Sequence, residues 1–127
     1  MIVQIIGLPC TGKSTLINRY IHKRKNLNIS YYDIANYEKI SGMYTDIKQH
    51  LKSSNNAIVE SATGLNIQTS KVLLYKKDIS TIYKQYIKRE GNLDEDYLSL
   101  LENQMFKPNY TVTNQQAMFA ILDTLFY

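Results

Sequence analysis

The sequence predicts an α/β domain, a parallel five-stranded sheet with helices on both faces. Three observations lead there. The opening "MIVQII" is a short continuous apolar run, the pattern of a strand buried on both sides. A glycine loop and an amphipathic helix follow it at once. Strand-type and helix-type segments then alternate: strand, helix, strand, helix, strand, strand, helix, helix, strand, helix. Such alternation calls for a parallel sheet whose crossovers cover its faces. The 127 residues and the apolar fraction of 44% suit one compact domain, 1–127, with a substantial core.

Each element has its own signal. Residues 1–6 form the first strand. Ser14 to Lys25 reads as a helix, with Leu16, Ile17, Tyr20 and Ile21 on one face and the cations of "HKRK" in its last turn. "NISYYDIA" reads as a second strand ending near Asp33, and Glu38 to Leu51 as a helix weakened by Gly42. Ala57 to Glu60 makes a third strand, closed by the small residues of "SATG", and "SKVLLYKK" a fourth. Asp78 precedes "ISTIYKQYIKRE", where Ile79, Ile82, Tyr83, Tyr86 and Ile87 form an apolar stripe. Gly91 and Asn92 break that helix, Asp94 starts "EDYLSLLENQMF", and Pro108 stops it. "NYTVTN" is a short fifth strand and "QQAMFAILDTLFY" the closing helix.

Composition narrows the function classes. No apolar run approaches the roughly 18–20 residues of a membrane span, and "MIVQIIG" lacks the basic leader and cleavage pattern of a signal peptide. The single cysteine forms no internal disulfide and suits a reducing compartment, so a cytoplasmic location is expected. The net charge of +4 suits a polyanionic ligand such as a nucleotide but is too weak to establish nucleic-acid binding.

The strongest motif is "GLPCTGKST". It fits G-x-x-x-x-G-K-[ST] at Gly7, Gly12, Lys13 and Ser14, between an apolar strand and an amphipathic helix. Glycines let the backbone curl so that successive N–H groups point inward, and the helix N-terminus adds partial positive charge. Lys13 would reach the β- and γ-phosphates, Ser14 would hold Mg²⁺, and Thr15 would reach the α-phosphate. Gly7, Cys10, Thr11 and Gly12 complete the phosphate-binding set. Ligands of such sheets bind at the carboxyl ends of the strands, here Gly7, Asp33, Glu60, the Lys76 region and Asn114.

On these residues the chain resembles a small P-loop kinase of the nucleoside and nucleotide kinase type. The resemblance runs through "IIGLPCTGKST", "YYDIA", "IVESATGL", "IYKQYIKRE" and "YTVTN". It implies a three-layer P-loop fold with strand order 2-3-1-4-5, ATP and Mg²⁺ as cofactors, and a nucleoside, a nucleotide or a nucleic-acid 5′ end as acceptor. It also implies that Asp33 orients or deprotonates the acceptor hydroxyl. Glu60 stands at the metal-binding strand end, where a glutamate replaces the more usual aspartate and a contact with the acceptor is the other reading. Arg89 matches the second arginine of a phosphate-clamping lid. The first falls on Gln85, beside Lys84, and Lys84 and Lys88 also read as a solvated helix face. Asn114 falls where such kinases place the adenine-binding loop. Between Arg89 and the next helix there is no room for a separate lid domain, so this is a minimal version.

Other residues carry weaker signals. Cys10 reads as a tolerated loop residue rather than a redox or covalent group. His22 and His50 lack metal-ligand spacing. Tyr37 and Tyr44 flank the acceptor side and read first as core. Two rivals to a kinase remain, an NTP-dependent switch or NTPase module serving a partner protein, and a polynucleotide 5′-kinase.

Overall fold

A computed structural model of the chain describes residues 1–34, 51 and 55–127. The expected helix from Glu38 to Leu51 therefore lies, apart from Leu51, outside the described residues, as do Tyr37, Tyr44 and His50.

Five strands form one parallel sheet: β1 (Ile2–Ile6), β2 (Ile29–Asp33), β3 (Asn56–Ser61), β4 (Lys71–Tyr75) and β5 (Tyr110–Val112). Their order is β2-β3-β1-β4-β5, as the resemblance implied. The central strand β1 pairs with β3 and β4, and Val3 to Ile6 are all buried. Burial on both faces explains its unbroken apolar run; Gln4 is the one polar exception. The register puts Asp33 of β2 beside Glu60 of β3, and Ile6 of β1 beside both Ser61 and Leu74. The carboxyl ends are thus level, and the side chains just beyond them meet.

Four helices are described: α1 (Lys13–Lys23), α2 (Ile79–Glu90), α3 (Glu95–Gln104) and α4 (Gln115–Phe126). Helix α1 stops at Lys23, two residues short of the expected end, and a 3₁₀ turn over Lys25–Leu27 follows. That turn closes on Asn28, whose φ of 49° is left-handed, a conformation asparagine tolerates.

The largest core cluster joins α1 and α4 to one face of the sheet. Leu16, Ile17 and Tyr20 meet Met118, Leu122 and Phe126 over Val3, Ile5, Ile58 and Leu73. Each such aliphatic side chain taken from water contributes about 1.5–3 kcal/mol. The opposite face carries Ala57 and Val59 against Ile34 and Leu51, and a third cluster joins Leu8 to Ile82 and Leu98 of α2 and α3. The expected stripe on α2 is only partly buried. Ile82 is enclosed, with Tyr83 and Tyr86 packed around it, whereas Ile79 and Ile87 are 45% and 44% exposed. Ile79 sits in the first turn and Ile87 lies off the face centred on Ile82, so Leu8 and α3 cover neither. Among the described residues no helix is long and apolar enough to cross a membrane.

A polar clamp closes the α1–α4 contact. The Tyr20 hydroxyl donates to Asp123 at 2.8 Å, and the Arg24 guanidinium donates to both oxygens of the same carboxylate at 2.9 Å each. Arg24 also lies 5.1 Å from the Tyr20 ring centre, and Phe119 meets that ring edge-on at 5.2 Å. The Arg24 hydrogen bonds, then the Tyr20 phenol, hold the Asp123 carboxyl below the usual carboxylate range. A carboxyl with a depressed folded-state pKa stabilises the fold fully above its ordinary value, about 3.9, and the contribution is lost as pH falls through the lower folded value. Asp123→Asn is therefore expected to lower stability at neutral pH and to flatten the stability–pH profile below about pH 4. Urea unfolding of both proteins over a pH series checks this; profiles running parallel below that pH would remove the ion pair as the source.

Candidate active site at the carboxyl end of the sheet

The phosphate loop begins where β1 meets a neighbour that leaves no space. A Cβ on Gly7 would lie 2.6 Å from the Tyr75 carbonyl oxygen of β4, a backbone atom that cannot swing aside. The Gly7 amide donates to the Ala62 carbonyl at 3.2 Å, which ties the loop to the turn after β3. Cys10 and Gly12 take left-handed φ values of 66° and 86°, and Gly12 is the N-cap of α1. A non-glycine residue pays for such a φ in steric strain, and Cys10 holds it in the loop that matches the phosphate motif.

Lys13 is buried at the start of α1, 7% exposed. Its ammonium donates to the carbonyls of Gly7 at 2.8 Å and Leu8 at 3.0 Å. Desolvation lowers its pKa, opposed by the negative charges of Glu60 and Asp33. The loop is thus an enclosed cation folded back on its own backbone. Beside it, the Thr11 hydroxyl oxygen is buried with no hydrogen-bond partner among the described residues. A buried hydroxyl left unpaired costs about 1–3 kcal/mol, and a phosphate oxygen is the kind of partner that would relieve it.

Ser14 and Glu60 converge from α1 and β3. The Ser14 hydroxyl lies 2.9 and 2.8 Å from the two Glu60 oxygens, and Glu60 is 8% exposed. The Tyr31 hydroxyl of β2 donates to Glu60 Oε1. This oxygen-only set suits Mg²⁺, which commonly takes one or two carboxylates and completes its shell with water and phosphate. No cluster of three or more His, Cys, Asp or Glu able to hold a metal occurs among the described residues, so the fit rests on Ser14 and Glu60 with phosphate oxygens.

An open cavity of about 1100 Å³ lies over these groups. Lys13 and Ser14 of α1, Asp33 and Glu60 at the ends of β2 and β3, Lys77 just after β4 and Arg89 of α2 all line it. Cys10, Thr11 and Gly12 line it too, and so do Gln85 and Lys88. Lys84 does not. Arg89 reaches the cavity while its Nε donates to Glu90 at 3.1 Å, with more than half of its side chain exposed. Gly7 acts from beneath, shaping the loop. Thr15 is exposed in the first turn of α1 and Asn114 is the N-cap of α4, where its side chain accepts from the Ala117 amide at 2.8 Å. Neither lines the cavity.

Two contributors went unnoticed in the sequence. Tyr31 shares a strand face with Asp33, and the period of two in "YYD" places it there. Gln4 is 1% exposed inside the central strand. Its amide donates to the Leu65 carbonyl at 2.8 Å and to the Ser70 hydroxyl at 3.0 Å, and its oxygen accepts from the Leu65 amide at 2.8 Å. It thereby fixes the end of the 61–65 segment, which lines the cavity. A lone polar residue within "IVQII" was the available signal.

No protein-family model matches the sequence, and no curated protein matches it. Solved structures do match. A shikimate kinase from Aquifex aeolicus is 18% identical, with 98% of this chain and 96% of that one covered and a TM-score of 0.63. A gluconokinase from Sinorhizobium meliloti is 13% identical, with 98% and 94% covered and a TM-score of 0.61. A shikimate kinase from Acinetobacter baumannii, solved with shikimate, is 12% identical, with 98% and 91% covered and a TM-score of 0.62. The chain has the three-layer α/β fold of the small P-loop kinases.

Gly7→Ala is expected to lose about 1–3 kcal/mol of stability, the usual cost of forcing an extra carbon into a filled space. Denaturant unfolding reads the loss; wild-type stability in this variant would show that the strand end has room to yield.

Proposed function

We propose that the protein is a Mg²⁺- and ATP-dependent kinase that transfers a phosphoryl group to a hydroxyl of a small acceptor. The observation that carries the proposal is the convergence of buried Lys13, the Ser14–Glu60 pair and Asp33 on one cavity. Kinases named for shikimate and gluconate share the fold, which supports a small hydroxyl compound over a nucleic-acid 5′ end. Nucleosides and nucleotides belong to the same size class. The lone cysteine within the phosphate loop suits work in a reducing cytoplasm.

The chemistry asks for positioned phosphates, neutralised charge and an oriented nucleophile. Lys13 exchanges its carbonyl partners for phosphate oxygens, and the Thr11 hydroxyl gains the partner it lacks. Ser14 and Glu60 would hold Mg²⁺, which would offset the negative charge of the phosphates. Asp33 accepts the proton of the acceptor hydroxyl while that oxygen bonds to the terminal phosphorus and the bond from phosphorus to ADP breaks; the proton then passes to solvent. Arg89, with Lys77 and Lys88, offers positive charge to the phosphoryl group in transit.

Lys13→Ala is expected to abolish measurable phosphotransfer and weaken Mg·ATP binding, since it deletes the buried charge of the loop. Turnover and affinity equal to wild type, in a screen of hydroxyl acceptors with labelled ATP, would remove the kinase reading. Asp33→Asn is expected to leave Mg·ATP affinity near wild type and to slow acceptor phosphorylation by about 10²–10⁴, the usual contribution of a positioned base. An NTP-dependent switch would behave otherwise: slow hydrolysis independent of acceptor, untouched by Asp33→Asn.

A further inference from the structure

Glu60 occupies a strand end where a shorter aspartate would reach less far and wander less. A glutamate has one more rotatable bond, and fixing it costs up to about 1.5–2 kcal/mol of side-chain freedom. The Ser14 hydroxyl has one proton to share between two nearly equidistant oxygens, at 2.9 and 2.8 Å. One donor shared in this way leaves the carboxylate free to rock. The second donor is the Tyr31 phenol, on Oε1 alone.

Tyr31 is well placed to act as a fixed post. It stands opposite Ile58 in the β2–β3 register, so it shares a sheet face with Glu60 two residues on. Its ring packs against the core cluster beneath α1. The residue is half-buried, and its phenol donates to Glu60. Asp33 is the register partner of Glu60.

We propose that Tyr31 is a positioning residue whose phenol holds Glu60 in the orientation that serves Ser14 and Mg²⁺, allowing a glutamate to do the metal-side task at this strand end. The inference rests on the kinase reading of Glu60 given above. Hydrogen-bond partners one layer out from a metal commonly affect its affinity by about 10–100-fold.

Calorimetric titration of ATP into the protein, with and without Mg²⁺, tests it. The ratio of the two dissociation constants reads the metal's contribution and needs no acceptor. Glu60→Gln is expected to lower that ratio. Tyr31→Phe is expected to lower it by about 10-fold with metal-free ATP affinity unchanged. Tyr20→Phe, which removes the phenol–carboxylate bond to Asp123, is expected to leave it alone. In a Glu60→Asp background, where the shortened carboxylate no longer meets the phenol, Tyr31→Phe is expected to have little further effect. A lowered ratio in Glu60→Gln with an unchanged one in Tyr31→Phe overturns this inference and spares the kinase reading. An unchanged ratio in Glu60→Gln overturns the metal role of Glu60 and this inference with it. Equal losses from Tyr31→Phe in the wild-type and Glu60→Asp backgrounds assign Tyr31 to general packing and also overturn it.

Discussion

The structure turns on a contact with no slack, the approach of the Gly7 backbone to the Tyr75 carbonyl. Because no side chain intervenes, the chain leaves the central strand and curls at once, without a longer connecting loop. That tight exit delivers Lys13 to a buried position over the strand end and starts α1 with Ser14 facing Glu60. A wider turn would carry both residues away from the carboxylates. The same exit gives up the amide of Gly7 to Ala62, so the loop and the turn after β3 share one scaffold.

Much of this was legible because it was written in two simple periods. The continuous apolar "IVQII" and the alternating elements specified a parallel sheet, and the loop motif lay at its strand end. Asp33 and Glu60 were findable as acids terminating apolar strands; that they are register partners came only from the pairing of β2 with β3. Arg89 and Gln85, one turn apart on α2, both line the cavity. Asn114 is used locally as a helix cap, the commonest fate of an asparagine before a helix.

The rest was hidden for physical reasons. The bond from Tyr31 to Glu60 spans two strands that are distant in sequence, and a tyrosine in an apolar-rich strand looks like packing. The exposure of Ile79 and Ile87 depends on which helix lies alongside α2, a tertiary matter that helical periodicity does not carry. The Tyr20–Arg24–Asp123 clamp joins the first helix to the last and has no local signature.

Gln4 lies beneath all this, and its three hydrogen bonds have a common trait. Two go to the backbone carbonyl and amide of Leu65 and one to a serine at the loop's far end. Backbone partners are the same whatever side chain stands above them. Gly64, held at a φ of 101° against Phe106, and Leu65, packed on a core cluster, are tied to the path of the cavity-lining turn, which is set from below by an amide in the central strand, while the side chains of Ala62 and Thr63 are left out of it. A lineage carrying this strand can exchange those residues, and with them the shape offered to an acceptor, without dismantling the turn that presents them.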